Sequence, residues 1–194
     1  MGQRGRCLLL CACLVIAVAV AGQGGDDCPR IIGRAGWGAR QPLAVHYLIV
    51  PVQYVIVQHT ATPACSSVTA CAARVAGLQA FFMDSLHYDD IGLSFLVGGD
   101  GNVYEGVGWH RVGAHTRGYN SRAVGVSLIG DFREELPPPA QLEALKKLLQ
   151  CGVSLGELHP DYKLLAQRQV SATESPGMAL FLELQTWPQW VEQP

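Results

Sequence analysis

The chain has 194 residues, 49% of them apolar and 15% charged, with a formal net charge of −2. That apolar content supplies a real core and excludes wholesale disorder, and the length suits one domain. Near-neutral charge argues against a nucleic-acid binder, which carries a basic face.

Arg4 and Arg6 precede an unbroken apolar run from Cys7 to Ala21, and small residues follow at Ala19, Ala21 and Gly22. This order describes a secretory signal peptide over residues 1–21 and a secreted, extracellular protein. An uncleaved anchor is the alternative, but a membrane span needs roughly 20 apolar residues. Cleavage takes Cys7, Cys11 and Cys13 out of an odd count of seven cysteines and leaves Cys28, Cys65, Cys71 and Cys151. In an oxidising compartment these read as two disulfides. Three pairings are possible. Cys65 and Cys71 flank a short Ser/Thr loop, so a local staple is the natural choice, leaving Cys28 for Cys151. Loss of Arg4 and Arg6 leaves 12 Lys+Arg against 16 Asp+Glu, a net charge of −4. The stretch from Gly106 to Gly130 runs against that trend, with His110, Arg111, His115, Arg117 and Arg122 and no acid. An anionic partner such as a carboxylate suits it.

Gln53 to Gln58 is a β-branched run after Pro51 and reads as a buried strand. Cys71, Val75, Leu78, Phe82 and Leu86 fall at helical spacing, so residues 68–87 read as an amphipathic helix. Leu93–Val97 and Asn102–Glu105 flank Gly98-Gly99-Asp100-Gly101 and read as a hairpin. No helix follows those glycines and no GK[ST] accompanies them, so they are a turn and not a phosphate loop. Ala123 to Ile129 is a further strand. Pro137-Pro138-Pro139 precedes a helix carrying Leu142, Leu145, Leu149 and Val153. Ser175-Pro176 reads as an N-cap with proline at the first helical position, opening a last helix through Met178, Phe181 and Leu184 to Trp187-Pro188. Helices interleaved with strands give an α/β domain over residues 28–194, with a central mixed β-sheet flanked by helices.

No HExxH, GxSxG, Walker, CxxC or EF-hand pattern is present. His59 ends the first strand, where sites of α/β sheets lie, although local hydrogen bonds would account for it equally well. His110 and His115 flank Gly113 in a loop and suit solvent or ligand contact better than a metal. Trp109, Tyr119 and the loop arginines offer the amphipathic surface and donors that a polar, sugar-like ligand uses. Plain packing is the other role for those aromatics.

VIVQHTATPAC (55–65), DIGLSFLVGGDGNVYEGVGW (90–109), GAHTRGYNSRAVGVSLIGDF (113–132) and SATESPG (171–177) resemble the peptidoglycan-recognition protein family in residues and spacing. Residues 139–153 and the WPQW at 187–190 fit as well. The resemblance covers about residues 28–194 and is nearest to short, secreted insect sensors. It implies Cys65–Cys71 and Cys28–Cys151 bridges and an amidase-like fold. Amidases of this kind cut N-acetylmuramic acid from L-alanine with zinc held by two histidines and a cysteine, assisted by a tyrosine. The matching positions here are Gln58, Gln167 and Ser175, with Leu93 for the tyrosine. Amides and a hydroxyl replace neither imidazole nor thiolate. The resemblance therefore implies a binder with no metal or cofactor and no zinc amidase activity. Residual amidase, or a stem-peptide hydrolase using Ser175, is the alternative, with an N-cap role for Ser175 set against the second.

By the same resemblance, the groove holds a muramyl peptide through Gln58, His59, Thr60, Trp109, His110, Arg111, His115, Tyr119, Asn120, Gln167 and Ser175. Guanidinium groups suit stem-peptide carboxylates, and neutral donors and acceptors suit sugar and peptide amides. His110-Arg111 lies where family members differ by the third stem residue. Arg111 could favour diaminopimelate, while likeness to the insect sensors points to lysine-type, Gram-positive peptidoglycan. The output implied is a Toll or prophenoloxidase protease cascade. The partners are then peptidoglycan or muropeptides and a secreted co-receptor or serine protease, with no nucleic acid and no membrane.

Overall fold

A computed structural model describes residues 28–194; the expected signal peptide at 1–21 lies outside the described residues. Six strands form one sheet: β1 (Ile31–Ile32), β2 (Val52–His59), β3 (Phe95–Val97), β4 (Val103–Glu105), β5 (Ala123–Leu128) and β6 (Leu158–Ala166), in the order β1-β4-β3-β5-β2-β6. The β3–β4 hairpin is antiparallel and every other pairing is parallel. Parallel strands need helical crossovers, so helices cover both faces and the central strands read as continuous apolar runs. The whole of β5 is buried accordingly.

Side chains alternate across a strand, and this alternation decides where a site can form. Val55 and Val57 of β2 and Val124, Val126 and Leu128 of β5 face one side, packing against Leu145, Leu148 and Leu149 of α2 (Pro139–Ser154) and Leu180 and Leu184 of α3 (Met178–Leu184). On the other side, α1 (Val68–Ala80) covers Leu96 and Tyr104 of the hairpin through Cys71 and Val75. The same side of β2, β5 and β6 carries only a small cluster of Ile56, Ala123 and Leu165, with Tyr54 and Tyr119 against it. That stretch of sheet is covered by loops and not by a helix.

α1 starts at an N-cap serine, Ser67, whose Oγ accepts the Ala70 N–H at 3.3 Å. It ends at Ala80 and passes into a π-helical turn over Phe81–Ser85, so the helix expected over 68–87 changes its winding near its end. β6 is absent from the sequence-based expectation; Pro160, Asp161 and Lys163 break its apolar pattern on the exposed side. The last helix begins at Met178 with Gly177 as N-cap at φ 91°, so Ser175-Pro176 does not cap it. Ser175 Oγ instead accepts the backbone N–H of His59 at 3.1 Å, a tertiary bond that the local pattern could not reveal.

Disulfides join Cys28 to Cys151 in α2 and Cys65 to Cys71 at the start of α1. Arg34 secures the N-terminal segment from within. It donates to the Gly106 carbonyl at 2.6 Å and the Arg40 carbonyl at 2.8 Å, and pairs with buried Asp90 at 3.0 Å.

Candidate ligand-binding groove at the carboxyl end of the sheet

The carboxyl ends of parallel strands are where open α/β sheets place their ligands. β2 ends here in Gln58 and His59, with Thr60 following, and β6 ends at Ala166 with Gln167 next. Val57 pairs with Ala166 and Gln58 with Ser127, so three strand ends converge. Gln58 shares the parity of Tyr54 and Ile56, which places it on the loop-covered side of the sheet.

The loop over this face is held by Asn120. Its Oδ1 accepts the N–H groups of His115 at 3.0 Å and Thr116 at 2.7 Å. His115 Nδ1 lies 3.1 Å from Thr116 Oγ1, to which Gln58 Nε2 also donates at 3.5 Å. Gln167 Nε2 donates to the His115 carbonyl at 3.1 Å. Gln58, His115, Thr116, Asn120 and Gln167 are thus one hydrogen-bonded group. The His115 imidazole lies flat on β5 over Gly125, where a Cβ would meet its Cδ2 at 2.6 Å. Burial lowers the pKa of His115 to about 4, only partly opposed by the Ala123 backbone, and the ring is neutral at physiological pH.

Ser175 meets the His59 backbone at the end of β2, and the His59 ring shares the parity of Val55 and Val57 and faces Phe132 on the α2–α3 side. The Phe132 N–H donates to His59 Nδ1 at 3.2 Å, which leaves the neutral ring's proton on Nε2. Burial lowers the His59 pKa, against the pull of Asp131, whose carboxylate is 3.8 Å from Nδ1 and is itself gripped by Arg133. Thr60 Oγ1 accepts the Gly130 N–H at 3.0 Å and sits 2.7 Å from Thr62 Oγ1.

Tyr119 stands at the rim, edge-on to Tyr54 at 5.5 Å, with the Arg122 guanidinium 4.4 Å from its ring centre. Trp109, His110 and Arg111 lie apart from these residues, and successive residues there turn different ways. Trp109 packs on Phe95 with ring centres 4.5 Å apart, His110 meets Glu157 at 2.9 Å, and Arg111 lines a cleft with His46, Tyr88 and Asp89. Sequence reasoning missed Thr116, the shared partner of Gln58 and His115, and Asp131, which faces His59. Thr116 follows a singled-out histidine, but only the fold brings it to Gln58.

The donor set does not suit zinc. Gln58, Gln167 and Ser175 each engage a protein partner, and Leu93 is buried in the core beneath α1. Among the described residues, no three His, Cys, Asp or Glu side chains converge on a metal position. Among the described residues, the hydrogen bond that Ser175 Oγ accepts comes from the His59 backbone and not from an imidazole.

The family described as N-acetylmuramoyl-L-alanine amidase matches residues 50–178. Peptidoglycan-recognition protein 2 of Holotrichia diomphalia is 46% identical over 167 residues, covering 86% of this chain and 89% of its own. The chain belongs to the peptidoglycan-recognition protein family. Drosophila peptidoglycan recognition protein SA superposes with a TM-score of 0.85 at 46% identity, covering 86% of this chain and 96% of the other. Peptidoglycan recognition protein LE, solved in complex with tracheal cytotoxin, a monomeric diaminopimelic acid-type peptidoglycan, gives 0.82 at 42% identity and covers 83% and 95%. The six-stranded mixed sheet and its three helices are therefore the fold of this family.

Proposed function

We propose that this protein is a secreted innate-immune receptor that binds bacterial peptidoglycan in this groove without zinc amidase activity. The observation that carries the reading is the neutral, hydrogen-bonded floor of Gln58, His115, Thr116 and Gln167; the family resemblance matches Gln58 and Gln167 of that floor to amidase zinc ligands. Such a floor offers neutral donors and acceptors to peptide and sugar amides, while it lacks the ligands that would activate water. His59, Thr60, Ser175, Tyr119 and Asn120 extend or support it. Arg111 acts from the neighbouring cleft, with Trp109 and His110 supporting it through Phe95 and Glu157.

The signal-like N-terminus and two disulfides support an extracellular setting. Resemblance to insect sensors supports lysine-type peptidoglycan as the preferred ligand, with output through a co-receptor or serine protease into a Toll or prophenoloxidase cascade. The deciding experiment is co-sedimentation of the mature protein with insoluble lysine-type and diaminopimelate-type peptidoglycan, with metal content and stem-peptide release measured on the same sample. Sedimentation with preference for the lysine-type wall, no bound zinc and no released peptide is expected. Protein remaining in the supernatant would refute binding, and stoichiometric zinc with peptide release would restore the amidase reading.

A further inference from the structure

A pocket of about 450 Å³ opens between the carboxyl end of β2 and the outer face of α1. Thr60 and Thr62 line one side, and Arg74, Gly77, Leu78 and Phe81 the other. Thr60 directly follows His59, so the pocket continues the groove along the sheet edge. Its lining contains no acidic residue.

Two features of α1 set this pocket apart. The first is Arg74. Its Nε is buried and meets no acceptor in the protein, and no ion pair forms with its guanidinium among the described residues. A guanidinium that lines a pocket with no carboxylate paired to it leaves its charge to a ligand, and an oxyanion is the acceptor that matches the guanidinium fork. The second is Gly77, one turn further along the same face. Glycine is among the poorest helix formers, yet an added Cβ at Gly77 would meet nothing within 4 Å. Packing within the protein does not demand this glycine, and its missing side chain keeps the pocket open.

The remaining lining narrows the chemistry. Phe81, about half exposed, and Leu78 offer an apolar surface of the kind that receives the C–H face of a sugar ring, opposite the hydroxyl pair of Thr60 and Thr62. We propose that this pocket is a subsite for a sugar-borne oxyanion, a phosphate on the glycan or the free lactyl carboxylate of a muramic acid residue without its stem peptide, held by Arg74 beside Phe81. The proposal rests on the peptidoglycan-binding reading and names a charged feature of the glycan, where the floor at Gln58 serves neutral amides.

The test titrates the mature protein with N-acetylmuramic acid, N-acetylglucosamine 6-phosphate, neutral N-acetylglucosamine and inorganic phosphate, using calorimetry or amide chemical shifts. At least one anionic sugar should bind about tenfold more tightly than the neutral sugar, and Arg74→Gln should abolish that advantage. Gly77→Met should fill the pocket and weaken the same anionic sugar about tenfold, while melting no lower than wild type because the helix gains a better former. Tighter binding of N-acetylmuramic acid assigns a carboxylate, and tighter binding of the sugar phosphate assigns a phosphate. Equal affinity for neutral and anionic sugars, an advantage that survives Arg74→Gln, or inorganic phosphate binding as tightly as the sugar phosphate would each overturn the proposal. Co-sedimentation with insoluble peptidoglycan on the same preparations separates the two readings. Wild type that sediments but shows no anion preference loses only the subsite. Wild type that stays in solution loses the receptor reading, and the sugar titrations still decide the subsite.

Discussion

Acid should loosen the groove through His115. Its pKa falls from 6.5 to about 4 on folding, because burial disfavours the imidazolium. Above pH 6.5 the ring is neutral in both folded and unfolded chains and stability does not depend on it. As pH falls from 6.5 toward 4 the unfolded chain binds a proton that the folded chain refuses, so stability drops by up to about 1.4 kcal/mol per pH unit. Integrated over that window, the loss attributable to His115 is about 3 kcal/mol. His59, also lowered by burial, adds a loss of the same sign. Carboxylates elsewhere contribute their own acid dependence, so the informative quantity is the difference between wild type and His115→Gln in urea unfolding from pH 7.5 to 4. The wild-type stability should fall more steeply than the variant's, by about 3 kcal/mol across the window. The His115 Cε1–H resonance should titrate with a midpoint near 4 in the folded protein. Parallel stability curves, or a folded midpoint at 6 or above (roughly the ordinary histidine value), would refute the argument. Protonation makes both ring nitrogens donors and so disturbs the group that joins His115 to Thr116 and Gln58, and muropeptide affinity should decline over the same range.

Gly125→Ala would drive a Cβ into the imidazole that lies across it, and overpacking of this kind costs about 1–3 kcal/mol. Urea unfolding should report that loss, and muropeptide titration should show weaker binding as His115 lifts from Thr116. The Cys28–Cys151 bridge closes a separation of 123 residues and Cys65–Cys71 one of 6. Loop-closure entropy then predicts losses of about 5 and about 2 kcal/mol when each pair is replaced by alanine, an order that denaturant unfolding checks. Combining Gln58→His, Gln167→His and Ser175→Cys should let the protein bind one zinc ion per chain by metal analysis. No zinc uptake would mean that the geometry of the cluster, and not its donor chemistry, excludes the metal.

The central strands were legible because apolar, β-branched runs such as Tyr54–Val57 fit only a buried strand, here covered by α2 and α3 on one face and by loops on the other. α2 was equally plain, since Leu145 and Leu149 repeat on one face after a proline start. β6 was not, because its identity as a strand comes from pairing with β2 across an irregular register near Val52 and Tyr54, and its exposed residues include Pro160 and Asp161. Ser175 illustrates the same limit at the site. Ser-Pro ahead of an apolar run has the local pattern of a helix cap, but the His59 N–H competes for the hydroxyl, and that donor is 116 residues away in sequence. Trp109 stands beside candidate ligand residues in the chain and yet turns onto Phe95, because neighbouring side chains in an extended segment face different ways.

Gln58, Gln167 and Ser175, which the family resemblance matches to amidase zinc ligands, have structural work of their own. Each uses one group to fix the structure: Gln58 Nε2 to Thr116, Gln167 Nε2 to His115, and Ser175 Oγ to the backbone of His59. Neither glutamine Oε1 takes a donor from the protein among the described residues. The Gln167 amide, anchored through Nε2 at 3.1 Å, directs its oxygen more firmly than Gln58, whose contact with Thr116 is 3.5 Å, and such an oxygen suits the N–H groups of a stem peptide. Imidazole and thiolate in the same places would change protonation with pH and hold a cation that polarises the scissile carbonyl. Fixed amide oxygens carry no net charge at any working pH and develop no stronger interaction with a transition state than with the ground state. In the receptor we propose, such oxygens would contribute affinity without rate.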